Sequence, residues 1–330
     1  MSEIVLRADE LAKTFHLGFF RKRVEAVRQA TFDVRRGEVF GYLGPNGSGK
    51  TTTLKMLMGL VFPTRGHAEV LGRPVPNREA KRRLGYLPES PYFYEYLSPE
   101  EFLDLVGSLF DVPRAERRAR AARLITRVGL DHARGRPLRK FSKGMLQRIG
   151  IAQALMGDPE LVVLDEPMTG LDPIGRKEIR DLMLELKHEG RTVLYSTHIL
   201  PDVEMTCDRV AMIFAGRIRN VGPLSELLTA RLLSTEVCLR QDVGQIPSLP
   251  EGAKIRQTPD GMLADLPEGT DVDAFLQAAL TSKASIISVT PRRESLEDLF
   301  VREAGQAGQA GQAGQAGQAG STSATDKGAA

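Results

Sequence analysis

Gly44-Pro45-Asn46-Gly47-Ser48-Gly49-Lys50-Thr51-Thr52 is the stretch that decides the fold. Glycine, four residues, then Gly-Lys-Thr is a spacing that curls a backbone until successive N–H groups converge on phosphate oxygens. A helix opening at that point adds the positive end of its dipole. Lys50 then has the reach for β and γ phosphates, and the Thr51 hydroxyl is a magnesium ligand. The flanks agree, because Val39 to Leu43 reads as a buried strand and Thr51 to Gly59 as a helix. Strand, loop and helix in that order separate a phosphate cradle from an ordinary glycine turn.

A phosphate loop alone leaves kinases, GTPases and ATPases open, so a second carboxylate site must decide. Leu161-Val162-Val163-Leu164-Asp165-Glu166 supplies it. Four apolar residues make a buried strand whose end presents Asp165 to the magnesium shell, directly or through water. Glu166 follows where a carboxylate can polarise an attacking water as general base.

Working outward, Ile4 to Leu6 and Ala26 to Val34 alternate as antiparallel strands with a turn at Arg36-Gly37, and Leu17 to Arg23 reads as a basic loop. Pro99 to Val128 is helical and charged. Helices at Ser142 to Met156 and Ile174 to His188 alternate with strands at Leu161 to Leu164 and Thr192 to Ser196, the pattern of a mostly parallel sheet. A hairpin spans Arg209 to Asn220 around Ala215-Gly216, and a short helix starts at Pro223-Leu224. The expected fold class is therefore α/β: a P-loop NTPase core with an antiparallel β subdomain on residues 1–230, carrying a helical insertion at about residues 99–156. Residues 231–303 read as a small α+β appendage with a helix at Val272 to Ala279. The Ala-Gly-Gln repeat of residues 304–330 cannot bury a core and is expected to be disordered.

Composition bounds the partners. The 330 residues carry 45 basic against 42 acidic side chains, a net charge of +3, so no global field argues for nucleic acid and none is expected as a partner. Two cysteines, Cys207 and Cys238, make neither a disulfide framework nor a zinc pair and suit a reducing cytoplasm. The opening MSEIVLRADELAKTF has no apolar core after a basic start, so export of this chain is not expected. No run approaches the roughly 20 apolar residues that cross a bilayer. If the protein works at a membrane, another polypeptide spans it.

Between the two phosphate-site motifs lies Phe141-Ser142-Lys143-Gly144-Met145-Leu146-Gln147-Arg148. The order phosphate loop, Leu87-Pro88-Glu89, Ser142-x-Gly144-x-x-Gln147-Arg148, Leu164-Asp165-Glu166-Pro167, Gly170-Leu171-Asp172-Pro173 and Ser196-Thr197-His198 resembles the ABC transporter ATPase family over roughly residues 4 to 222. That resemblance implies ATP and Mg2+ as cofactors and a dimer in which each signature loop grips the γ phosphate held by the opposite subunit. By position, Ser142 and Gly144 are then the contacts to the partner's nucleotide, Asp172 lies in the loop that crosses to it, and His198 is the switch histidine at the γ phosphate. Two readings stand for Asp172, since a Gly-Leu-Asp turn also caps a helix opening at Pro173. Phe15 is the candidate to stack on adenine, with a core phenylalanine as its rival and Phe19 or Phe20 as substitutes.

The chain departs from the usual Leu-Ser-Gly-Gly-Gln signature at Phe141, Lys143 and Met145, and carries Glu89 where the family typically has Gln. Lys143 adds a charge near the triphosphate or faces solvent; Glu89 can accept a bond from magnesium-bound water. Gly85 to Glu89, the Phe141-to-Met145 signature and Ser295-Leu296-Glu297-Asp298-Leu299-Phe300 look like bacterial ABC-2-type exporters. The resemblance implies a separate membrane permease docking at about Ser90 to Phe110, and a peripheral location on the cytoplasmic face of the inner membrane. The rival is a soluble ABC ATPase acting on ribosomes, DNA or chromosomes, although the fused second head or long coiled coil of those types is missing.

Overall fold

The computed structural model describes residues 3–18, 22–228, 232–240, 249–258, 261–282 and 284–306. The chain divides into two compact units, the larger built on Met1–Leu227 and the smaller on Leu228–Val301.

The larger unit opens with two long strands, β1 (Ile4–Leu17) and β2 (Lys22–Arg35), paired antiparallel. Strand β3 (Val39–Leu43) follows the turn at Arg36-Gly37 and is buried at every position. Helix α1 (Lys50–Leu57) leaves the glycine loop. Next come β4 (Arg65–Val70), the short β5 (Arg73–Pro74), α2 (Arg78–Arg82) and β6 (Leu84–Leu87). The sequence pattern did not mark these strands, because β4 and β5 are mostly exposed and polar. The basic loop is also shorter than expected: Lys22 and Arg23 pair with Leu17 and His16 in the β1–β2 ribbon.

The helical and charged segment is two helices, α3 (Pro99–Leu109) and α4 (Arg114–Arg127). Ser98 caps α3 through a capping box with Glu101, and Pro113 caps the start of α4 because proline disfavours helix at the residue before it. Then follow α5 (Lys143–Leu155), β7 (Leu161–Asp165), α6 (Pro173–His188), β8 (Thr192–Thr197), α7 (Leu200–Thr206), β9 (Arg209–Phe214), β10 (Arg217–Pro223) and α8 (Leu224–Leu227). Among the described residues these strands form one sheet in the order β5-β4-β1-β2-β10-β9-β3-β8-β7-β6.

Strands β9, β3, β8, β7 and β6 run parallel to one another. Those of them that read as unbroken apolar runs, β3, β7 and β9, are covered on both faces, as parallel sheets require. Phe32 stacks on Phe40 at 5.6 Å between ring centroids and on Tyr42 at 5.1 Å, which joins the antiparallel ribbon to the parallel core. At the outer strand β6 the fit is close. A Cβ on Gly85 would stand 2.2 Å from the Ala154 carbonyl oxygen, so only glycine lets α5 approach.

The smaller unit is a four-stranded antiparallel sheet in the order β12 (Lys254–Thr258), β13 (Gly261–Pro267), β11 (Leu232–Arg240), β14 (Ile286–Arg293). Helix α9 (Val272–Thr281) closes its core, with Phe275 and Ala279 packed beside Val237, Leu239, Ala264 and Leu266. Residues 296–306 are helical, so the first Ala-Gly-Gln of the repeat lies in a helix and not in a disordered tail. The remainder of the tail lies outside the described residues. No helix among the described residues is long and apolar enough to cross a membrane.

Candidate functional site

Strand register assembles the site. Leu43 pairs with Thr197 and Asp165 with Ser196, while Leu87 pairs with Leu164. The carboxyl ends of β3, β8, β7 and β6 therefore lie in a row. Each strand is followed by a residue singled out from the sequence: Gly44, His198, Glu166 and, two positions past β6, Glu89. Ligands of open α/β sheets sit at this edge.

The glycine loop is held from behind. A Cβ on Gly44 would stand 2.4 Å from the Ile213 carbonyl oxygen, so the loop rests directly on β9. Gly49 caps α1 at φ 109, a conformation that favours glycine. The N–H groups of the first turn of α1 have no intrahelical partner, which leaves a backbone cradle for an anion. Lys50 is buried, and its Nζ donates to the Gly44 carbonyl at 2.7 Å and the Pro45 carbonyl at 3.2 Å, and stands 3.1 Å from Glu166 Oε1.

Thr51 Oγ1 lies 3.3 Å from Asp165 Oδ1 and 3.3 Å from Glu89 Oε2. Asp165 is fully buried; Ser196 Oγ donates to its Oδ1 at 2.6 Å, and its Oδ2 has no hydrogen-bond partner. Burial pushes the Asp165 carboxyl above the usual aspartate range, against the hydrogen bonds from Ser196 and Thr51. An orphaned carboxylate oxygen beside a hydroxyl is an oxygen donor set suited to a hard divalent cation. Among the described residues no three His, Cys, Asp or Glu side chains hold a metal by themselves. The donors present thus fit a Mg2+ ion shared with phosphate oxygens, as Mg2+ is usually bound.

Glu166 has φ 51, left-handed backbone for a residue with a side chain, a strain of order 1–3 kcal/mol. Its N–H donates to the Ser196 carbonyl at 3.2 Å and to Ser196 Oγ at 3.0 Å, which hold the turn. Thr169 Oγ1 donates to Glu166 Oε2 at 3.0 Å, and His198 Nδ1 lies 3.0 Å from the same oxygen. The carboxylate is fixed on three sides, by Lys50, Thr169 and His198. With Nδ1 turned to Glu166, Nε2 is the histidine atom left for another group.

A cleft of about 390 Å³ runs over these groups, lined by Val24, Glu25, Ala26, Asn46, Gly47, Gly49, Lys50, Thr51, Thr52, Glu89 and Glu166. Phe15 does not line it. The ring stands directly across the ribbon from Val24, which does, and Lys13 Nζ sits 5.1 Å above the ring. Phe19 and Phe20 lie outside the described residues. Pro45 and Ser48 belong to the loop without lining the cleft: Pro45 is exposed, and Ser48 Oγ is buried without a partner among the described residues.

Ser142, Gly144 and Asp172 are not brought to this cleft. They line a second cavity of about 580 Å³ with Lys143, Met145, Arg148, Gly170 and His132. Ser142 caps α5 by accepting from the Met145 N–H at 3.3 Å, and Asp172 caps α6 by accepting from the Gly175 N–H at 2.9 Å. The capping reading of Asp172 is what the single chain displays. Sequence reasoning did not single out Ser196, Thr169 or Val24. Ser196 sits in the Ser-Thr-His run, and Thr169 is three residues past Glu166, the reach of a turn. Val24 carries no chemical signal at all.

The ABC transporter family profile matches residues 27–169. An ABC transporter ATP-binding protein of Synechocystis is 43% identical over 91% of this chain and 84% of that protein. The bacitracin transport ATP-binding protein of Bacillus licheniformis is 32% identical over 85% of this chain and 93% of its own length. The Nod factor export ATP-binding protein I of Ralstonia nicotianae is 32% identical, covering 84% and 88%. Among solved structures, an ATP-binding subunit of an ABC transporter superposes with a TM-score of 0.60 at 33% identity, over 68% of this chain and 91% of that one. With the phosphate cradle, paired acids and histidine at one sheet edge, these likenesses establish that the chain belongs to the ABC transporter family, as an ATP-binding subunit with ATPase chemistry.

Proposed function

We propose that this chain is the ATP-hydrolysing half of a dimeric export machine and drives cargo through a separate ABC-2-type membrane permease. One observation carries the dimer. The cradle cleft and the signature cavity share no lining residue, which supports a reading in which Ser142 and Gly144 close over phosphate held at Lys50 of a second copy. Two copies facing each other complete two sites. A solved ABC cassette of like fold, 23% identical with a TM-score of 0.61, is described as a dimer bound to ADP and Pi.

In this reading Lys50 and the loop N–H groups bind and orient the triphosphate, and the base lies toward Val24, the strand partner of Phe15. Thr51 and Asp165 would hold Mg2+, which supplies charge neutralisation across the phosphates. Glu89, 3.3 Å from the Thr51 hydroxyl, would stand beside that ion as a further acceptor. Glu166 takes a proton from the attacking water, and His198 keeps the carboxylate oriented while its Nε2 contacts the γ phosphate. Each helps only if water is otherwise excluded, which is the work of the partner's signature loop.

The export reading rests on the bacitracin and Nod factor relatives and on an exposed surface beside Glu89. Tyr92 and Tyr96 are 92% and 80% exposed, and Tyr94 and Leu109 are also open. A groove of about 280 Å³ lined by Met58, Leu60, Tyr86, Val106 and Phe110 lies on the same unit. Exposed aromatic and apolar groups of this kind mark a docking surface, here for the cytoplasmic side of the permease. Cargo contacts belong to the permease.

The test is light scattering of the full chain as Glu166→Gln, which keeps ATP unhydrolysed. ATP with Mg2+ should convert a monomer to a dimer, and ADP should not. A monomer at every nucleotide and protein concentration would remove the shared-site reading.

A further inference from the structure

The turn between β9 and β10 touches the phosphate loop from behind. Ala215 has φ 46 and Gly216 φ 77, and Phe214 pairs with Arg217, so two left-handed residues close the hairpin as a tight primed turn. Gly216 is buried, and its backbone bonds in two directions. Its N–H donates to the Ser48 carbonyl at 3.0 Å, and its carbonyl accepts from the Arg28 and Gln29 N–H groups at 2.7 and 3.1 Å. One residue thus joins the loop to β2.

No side chain fits at that junction without displacing backbone. A Cβ on Gly216 would stand 3.0 Å from the Arg28 nitrogen and 3.1 Å from the Ala26 carbonyl oxygen, and a Cβ on Gly49 would stand 2.5 Å from that same oxygen. Ala26 lines the nucleotide cleft together with Val24 and Glu25. The turn therefore packs where the cradle meets the β2 wall.

The bond to Ser48 also orients Gly49. In a trans peptide the C=O and the following N–H point in opposite directions, and the Ser48–Gly49 peptide is trans. Tying the Ser48 carbonyl back to Gly216 turns the Gly49 N–H away from the hairpin, toward the cleft that Gly49 lines. That N–H has no hydrogen bond among the described residues. Gly49, at φ 109, is free to take other backbone orientations, so a contact from outside the loop must select this one.

We propose that Gly216 is a positioning residue for nucleotide binding: it locks the Ser48–Gly49 peptide so that the Gly49 N–H is aimed at phosphate before nucleotide arrives. A peptide already held in its bound orientation spares the ordering cost that binding otherwise meets. The inference rests on Gly44 to Thr52 as the phosphate cradle and names the element that keeps its shape.

The test uses the full chain labelled with carbonyl-carbon-13 serine and nitrogen-15 glycine. Ser48-Gly49 is the single Ser-Gly step in the sequence, so the Gly49 amide gives the one carbonyl-coupled signal in the NMR spectrum. In the parent it should move downfield on addition of ADP with Mg2+. In Gly216→Ala the shift at saturation should shrink about twofold or more, and Kd for ADP should rise about tenfold, the worth of one hydrogen bond. Ala215→Gly, which relaxes the turn and keeps it, should leave both as in the parent. A folded Gly216→Ala chain with the parent's shift and Kd would overturn the proposal. Amide deuterium exchange in the parent needs no variant. Without nucleotide, Gly216 should exchange at least about tenfold more slowly than Gly49, and equal rates would also overturn it. A parent whose Gly49 amide ignores ADP would remove the cradle reading itself and the proposal with it.

Discussion

At the scale of single residues, Ser196 ties the two acids together: its hydroxyl donates to Asp165 and accepts from the Glu166 N–H, which depends on β7–β8 register. That support could not be read from sequence, whereas Lys50, Thr51, Asp165 and Glu166 each belong to a motif whose spacing has a mechanical reason. Cys207 is a further case. The sequence marks it only as a small residue for a reducing compartment, whereas in the fold its thiol donates to the Tyr195 hydroxyl at 3.3 Å. Burial pushes the thiol up to about 12. Cys207 should therefore resist N-ethylmaleimide at neutral pH in the folded protein and react once denatured, as peptide mass spectrometry can show. Rapid native labelling at Cys207 would contradict the packing of α7 on β3 and β8.

At the scale of elements, apolar runs marked β3, β7 and β8, a hairpin pattern marked β9 and β10, and alternation marked the ribbon, whereas the parallel strand β6, only four residues long, was not marked. Strands β4 and β5 were missed because exposed strands lack the apolar pattern, and β1 and β2 ran longer than their apolar centres. Nor did the sequence disclose how the ribbon is pinned to the core. Arg209 at the start of β9 donates to Glu38 Oε1 at 3.0 Å and to Asp33 Oδ2 at 3.1 Å, and its guanidinium carbon sits 5.5 Å from the Phe40 ring centroid. Arg209→Met leaves Glu38 buried without its partner and should cost about 3–5 kcal/mol in urea unfolding. Glu38→Gln should cost less. Burial holds the Glu38 carboxyl above its ordinary 4.5, with Arg209 and the Arg35 N–H opposing, so folding takes up a proton. That contribution is complete below 4.5 and fades as pH rises through the higher folded value. Asp165 is raised from 3.8 in the same direction, so Glu38→Gln should flatten the fall in stability above pH 4.5 without abolishing it. An unchanged pH slope would place the titration elsewhere.

At the scale of the whole molecule, motif order carried the family reading over most of the larger unit. The smaller unit was legible only as mixed strands and a helix, because its core is a few residues drawn from β11, β13 and α9. The separation of cradle and signature into two cavities needed the fold, since nothing in the spacing of Gly44–Thr52 and Phe141–Arg148 says that they diverge. Glu166 as the general base for hydrolysis of ATP held by Lys50 and Thr51 is checked by phosphate release from the full chain with ATP and Mg2+, measured for the parent and Glu166→Gln with nucleotide binding followed in both. Turnover should fall about 10²–10⁴-fold with ATP still bound. Turnover equal to the parent's would remove Glu166 from that role.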